Sequence, residues 1–272
     1  MKNNIIIFAG PGRAGTTFIQ KLFYSNSKFI KDNSISLPII KETYIFNRKS
    51  ISVKTLNKFF PYNGNTYIDF SNLQYKNIEN IFKHSDNFNN VHIVLFNRNV
   101  KSWLRSLLVF EMRKGNKITK ELIDKKLSEI DLSNFIDPEN FLINSKIKFH
   151  FFQFDWIIKN DKIKIRELVD SIFGNSSDFI INFKKINESI TPKIRFIGKL
   201  TKSLAKLLRY FGAFKILEKL KSLTLVKIIL FKKTDENLNP LNDFNDFNDF
   251  NEFNDRIEVL NKSNSNLIKS LK

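Results

Sequence analysis

The sequence predicts an α/β fold of three layers, with helices on either side of a central parallel sheet. Three stretches carry that prediction. Residues 5–9, Ile-Ile-Ile-Phe-Ala, form a β-branched run closed by the glycine cluster Gly10-Pro11-Gly12-Arg13-Ala14-Gly15, after which Thr16-Thr17-Phe18-Ile19 opens an apolar-periodic segment. Residues 91–96 are a second apolar run, passing through Asn97-Arg98-Asn99 into a helical pattern from Val100 to Leu108. Residues 147–156 read as a third core strand, followed by an amphipathic helix from Ile163 to Phe173 that Gly174 ends.

Taken in order, the first strand leads into a turn suited to an anion. Gly10, Gly12 and Gly15 let successive backbone N–H groups point inward, and the positive end of the following helix adds attraction. Phe18, Ile19, Leu22 and Phe23 recur at helical spacing, so a helix runs from about Thr16 to Tyr24. Residues 35–46 read as a strand edge carrying the pair Lys41-Glu42. Residues 66–73, Thr-Tyr-Ile-Asp-Phe-Ser-Asn-Leu, place Asp69 at the end of a short strand, where α/β sheets present ligand-binding groups; the alternative is an Asp in a turn or helix N-cap. The eight-residue step from Arg98 to Ser106 lets a strand-end arginine and a hydroxyl on the next helix converge on one phosphate. Residues 117–143 read as surface helix and loop with a break at Pro138. His150 alternates with aromatic residues along the third strand, which favours packing over catalysis.

Composition sets limits. A chain of 272 residues, 42% hydrophobic, is long enough for one sizeable α/β domain. A net charge of +18 points to anionic partners without choosing among nucleotide, nucleic acid, membrane surface and acidic glycan. The absence of cysteine excludes disulfides and thiolate chemistry and fits a reducing compartment. His84, His92 and His150 are scattered without metal-ligand spacing, so no metal is expected. The chain enters its first strand with no signal-peptide pattern and has no run of ~20 apolar residues, which predicts a soluble cytoplasmic protein.

The first loop departs from the ATPase pattern G-x-x-x-x-G-K in a telling way: Thr16 stands where the lysine would be, and Arg13 is the loop's cation. It resembles the 5′-phosphosulfate loop, P-K/R-S-G-T-T, of sulfotransferases that use 3′-phosphoadenosine 5′-phosphosulfate (PAPS). Arg13, Gly15, Thr16 and Thr17 match, while Gly12 replaces the proline and Ala14 the serine. Lys41-Glu42-Thr43-Tyr44-Ile45-Phe46 is similar to the K-E-x-x-F-F element of carbohydrate sulfotransferases, whose lysine faces the sulfuryl group or acceptor. Asp69 and Ser71 fall at the glutamate and serine of x-G-E-K-S-P-x-Y, which makes Asp69 the implied general base. Arg98, Asn99 and Ser106 match the 3′-phosphate element R-D/N-P-x-x-R-x-x-S; its second arginine is Trp103 here, with Lys101 and Arg105 alongside as substitute charges. Asp155 takes the acidic place of the family's Y-E-D-L strand end, and residues 185–189 resemble its N-x-S. The resemblance implies a P-loop NTPase-like sulfotransferase fold over residues 1–192. It implies PAPS as donor and 3′,5′-adenosine bisphosphate as product, without metal. Gly12, Arg13, Ala14, Gly15, Thr16, Thr17, Arg98 and Ser106 would bind the nucleotide, with Asp69, Arg13 and Lys41 catalytic. The lysine-less loop and the Arg98 element together distinguish this reading from a kinase.

Beyond residue 192 the composition changes. Residues 193–233 hold twelve basic residues and one acidic residue, Glu218, with apolar positions from Phe196 to Leu220 at helical spacing and a break near Gly212. Such basic amphipathic helices cover the domain, lie peripherally on an anionic membrane or bind a polyanionic acceptor; nucleic acid is disfavoured because the aromatics fall on the apolar face. Residues 242–254 repeat Asn-Asp-Phe at period three, which suits neither helix nor strand, so residues 234–255 read as a low-complexity connector before a final helix in 256–272. The acceptor implied by the family elements is a glycan or glycolipid hydroxyl. A P-loop kinase or NTPase, and a non-catalytic module docking on membranes through 193–233, are the other two function classes open to this sequence.

Overall fold

The computed structural model describes residues 2–37, 46, 51–61, 63–113, 116–134, 136, 146–183, 190–192, 231–233 and 250–270. Two compact units emerge: Met1–Val100 with Lys126–Lys184 and Asn254–Lys272, and Lys101–Lys125 with Lys185–Phe253.

The first unit holds the parallel sheet. Its β-branched and aromatic runs form β1 (Asn3–Ala9), β2 (Ile35–Ser36), β3 (Thr66–Leu73), β4 (Phe88–Asn97) and β5 (Ile147–Gln153). They lie in the order β2-β3-β1-β4-β5, each neighbour pair parallel. The α/β class with a central parallel sheet is therefore as the sequence predicts. Helices in this unit are α1 (Thr16–Ser25), α2 (Ser27–Asp32), α3 (Val53–Phe59) and α4 (Glu79–His84). The chain then continues through α5 (Val100–Arg113), which apart from Val100 belongs to the second unit, and α6 (Lys120–Ile130), whose residues from Lys126 on belong to the first, to α7 (Asp155–Ile158) and α8 (Lys162–Phe173).

Alternation along β1 sorts the two faces. Ile5, Ile7 and Ala9 join a core with Phe46, Leu56, Phe60, Ile78, Ile81 and, from the C-terminal helix, Ile268. On the opposite face Phe8 meets Phe23 at 6.2 Å and Phe96 at 5.7 Å, and Phe96 meets Phe152 at 4.8 Å. Phe23 and Phe29 continue that layer to Phe173 of α8 and to Phe179, at 5.1–6.1 Å. Helices thus cover both faces of a sheet that is apolar on both, as a parallel sheet requires.

The helix ends follow local chemistry. Asp161 caps α8, its carboxylate accepting from Lys164 N–H at 3.0 Å, and Gly174 ends it in the left-handed region at φ 81°. Asn3, though buried, is satisfied: its amide donates to the Phe60 and Pro61 carbonyls, and its oxygen accepts from Asn63 and Gly64 N–H.

In the second unit, β6 (Ile190–Pro192) and β7 (Phe231–Lys233) pair antiparallel, and α5 buries Trp103, Leu104, Leu107 and Leu108. The final helix, α9 (Phe250–Ser270), begins earlier than Arg256 and takes in the last part of the Asn-Asp-Phe repeat. Phe250 to Asn254 are therefore helical; there the helix overrides the period-three pattern. The remainder of the repeat, and residues 193–230 with their basic helical pattern, lie outside the described residues.

Candidate active site

The strand order places the carboxyl ends of β1 and β4 side by side, with Ala9 level with Leu95. After β1 the chain turns toward β2 and β3, and after β4 toward β5, so the connections diverge at this point. Such a switch point leaves a crevice at the strand ends, where open α/β sheets bind ligands.

The residues 10–15 loop enters that crevice. Gly10 N–H donates to the Leu73 carbonyl at 2.8 Å, holding the loop's start against β3. A Cβ on Gly10 would lie 2.8 Å from Phe96 Cβ, so β4 permits no side chain there. Gly15 stands at φ 106° as the residue before α1, and a Cβ on it would meet Ile157 Cδ1 at 2.9 Å and Phe154 at 3.2 Å. Gly12 is different: open space surrounds its Cβ position, and it is not among the positive-φ residues. The sequence reading that all three glycines shape the turn holds sterically for two. The third unusual conformation belongs to Arg13, left-handed at φ 73°, a state costing a non-glycine residue about 1–2 kcal/mol. Thr16 and Thr17 open α1, whose first turn carries no acidic residue, leaving its positive end to an anion. Ala14 is fully buried.

Arg98 follows β4 directly and reaches the loop: its guanidinium donates to the Arg13 carbonyl at 2.7 Å. The same guanidinium lies over the Phe154 ring, 3.9 Å from its centroid. Burial lowers the pKa of Arg13. For Arg98, burial first and the Arg13 charge second bring it down to about 10, with Asp155 opposing. Both remain cationic at neutral pH, so two half-buried like charges are held close together. An anion between them would relieve that repulsion.

β3 runs on to Leu73, so Asp69 is inside the strand and not at its end: it is level with Ile7, 2% exposed, at the start of a register break between β1 and β3. Ser106 is half-buried on α5 within the second unit. Trp103 is buried, so this position serves packing, while Lys101 and Arg105 are exposed. Lys41 and Glu42 lie outside the described residues, as do residues 185–189; of the Lys41–Phe46 element, Phe46 is described, stacked on Phe60 at 6.2 Å in the core.

The histidines correct the sequence picture. His92 and His150 are not scattered: adjacent strands bring His92 Nδ1 to 2.9 Å from His150 Nε2, with the rings stacked. His150 Nδ1 lies 2.9 Å from Ser171 Oγ, and that hydroxyl donates to the Leu168 carbonyl at 2.7 Å. Ser171 therefore accepts from His150 Nδ1–H; burial keeps both rings neutral at pH 7, so His150 Nε2 accepts from His92 Nδ1–H. His92 pairs with Ile6 in mid-sheet, away from the crevice. Among the described residues, no group of three His, Asp or Glu side chains is placed to hold a metal ion.

Phe154 and Asp155 are contributors the sequence reading assigned to the strand alone. Strand adjacency brings them to Arg98, and no local pattern announces which strands will be neighbours.

No family model matches the chain, and no curated protein matches it. Among solved structures, a sulfotransferase from Alicyclobacillus acidocaldarius is similar, with a TM-score of 0.41 and 14% identity, over 77% of this chain and 94% of that one.

Proposed function

We propose that the chain is a PAPS-dependent sulfotransferase that transfers a sulfuryl group to a hydroxyl of a glycan or glycolipid. The observation that carries this reading is the Arg13–Arg98 pair: two half-buried cations joined through the Arg13 carbonyl at the β1–β4 crevice. A lysine-less phosphate loop followed by a second strand-end arginine suits a nucleotide carrying phosphate at both ends better than ATP.

The residues fit such a donor. The loop from Gly12 to Thr17 would hold the 5′-phosphosulfate at the α1 N-terminus, and Arg98, with Ser106 assigned from the motif, the 3′-phosphate. PAPS supplies a sulfuryl group already activated on its 5′-phosphate. Asp69 accepts the acceptor's hydroxyl proton as the new S–O bond forms, and the S–O bond to the phosphate breaks. Arg13, Lys41 and the loop amides stabilise charge on the sulfuryl oxygens and the departing phosphate, a role of positioning and electrostatics. The basic composition of residues 193–233 supports a membrane-associated or anionic acceptor.

Calorimetry with 3′,5′-adenosine bisphosphate and with ATP, on wild type and Arg98→Ala, tests the nucleotide assignment. Arg98-dependent binding of the bisphosphate, in preference to ATP, is expected. Preference for ATP would make the chain a kinase or NTPase, and no nucleotide binding would make it a docking module. Asp69→Asn should lower turnover about 10²–10⁴-fold while leaving bisphosphate binding intact. Unchanged turnover in that variant removes Asp69 from the reaction.

A further inference from the structure

We propose that Phe154 is the positioning residue of the anion site, holding the Arg98 guanidinium in its binding pose without neutralising it. The inference rests on the reading above in that Arg98 grips an anion. Phe154 lies immediately beyond β5, and its backbone N–H donates to the Asn97 carbonyl at 2.9 Å, so it is tied to the residue just before Arg98. The Asn97 side chain in turn donates to Gln153 Oε1 at 3.1 Å, a second tie at the same level.

The ring is wedged from two sides. One side carries the guanidinium, 3.9 Å from the ring centroid to Arg98 Cζ. An edge atom lies 3.2 Å from where a Cβ on Gly15 would stand, so the ring packs against the glycine that opens α1. The guanidinium is held by its face on Phe154 and by an edge on the Arg13 carbonyl, which fixes its plane and hence the direction of its donor fork.

The choice of an aromatic partner has a chemical consequence. A carboxylate in that place would stabilise Arg98 against Arg13, and would also repel an incoming anion. The ring's quadrupole stabilises the cation by about 0.5–2 kcal/mol and, unlike a carboxylate, adds no negative charge to repel the ligand. Asp155, the neighbouring acidic side chain, is exposed at the start of α7, and its charge is the smallest of the three influences on Arg98, after burial and Arg13. The sequence Phe154-Asp155 thus places an uncharged face on the guanidinium and keeps the carboxylate at the solvent edge.

The test is a double-mutant cycle read by calorimetry, with inorganic pyrophosphate and 3′,5′-adenosine bisphosphate as probes. Phe154→Leu keeps bulk against Gly15 and removes the π face; it should weaken both probes about 3–10-fold. Phe154→Tyr, which retains the face, should bind within about 2-fold of wild type. In the Arg98→Ala background, Phe154→Leu should have no further effect. An equal loss in that background, or failure of Phe154→Tyr to restore binding, overturns the proposal and makes Phe154 a packing residue. Arg98-dependent binding of pyrophosphate without binding of the bisphosphate overturns the nucleotide reading alone, and the Phe154 cycle is then read on pyrophosphate. If neither probe depends on Arg98, both proposals fall.

Discussion

Gly15 answers to two constraints at once, a left-handed φ of 106° and side chains of α7 and Phe154 pressed against its Cβ position. Gly15→Ala should therefore destabilise the protein by about 2 kcal/mol or more, strain and overpacking adding together. Gly12→Ala, which meets neither constraint, should stay within about 0.5 kcal/mol of wild type. Urea unfolding of the two variants measures the contrast, and equal losses would mean that the loop differs from the geometry described. At the position where the 5′-phosphosulfate loop it resembles in sequence has proline, Gly12 is under no steric demand. The left-handed turn is made by Arg13 instead. That residue spends its carbonyl on Arg98, so the loop's cation and the strand-end cation are coupled through one hydrogen bond at 2.7 Å.

At the scale of elements, β4 and β5 create a titrating pair that neither strand contains by itself. Burial first, then the Lys148 charge, lowers His92 to about 4; His150 comes to about 4 through burial, His92 and Lys148 in that order. Both values lie below the unfolded value near 6.5, so the unfolded chain takes up protons first as the pH falls. The pair's contribution is complete above about pH 6.5 and is lost progressively as pH falls toward about 4. The urea midpoint of wild type should fall between pH 6.5 and 5, and the fall should flatten in His92→Gln/His150→Gln. An identical slope in that double variant would assign the acid sensitivity to other groups. The C-terminal helix makes the same point with asparagine. Asn261 Oδ1 accepts from Val100 N–H at 2.9 Å, capping the helix that follows Arg98. Buried Asn264 accepts from Leu132 N–H and donates to the Ile130 carbonyl, joining α9 to the end of α6. In sequence these residues are part of a general excess of asparagine; their partners lie more than a hundred positions away.

For the whole molecule, the net charge of +18 sets an electrostatic expectation independent of the nucleotide site. The chain should sediment with anionic phospholipid vesicles at low salt, be released near 1 M salt, where the screening length is about 3 Å, and ignore neutral vesicles. Binding to neutral vesicles, or binding indifferent to salt, would count against a charge-driven contact. Among the described residues, no helix is long and apolar enough to cross a membrane. The sequence by itself determined that β1, β3, β4 and β5 are strands, that glycine and arginine follow the first of them, and that Gly174 ends α8, because each depends on local periodicity or a single backbone conformation. Only the tertiary structure decided that β1 lies between β3 and β4 and that β5 lies beside β4. That order brings Arg13 to Arg98, sets Phe154 beneath the guanidinium, pairs His92 with His150 and buries Asp69 inside its strand. Strand order depends on which apolar faces and crossovers pack together across the whole chain, and no window of sequence contains that information.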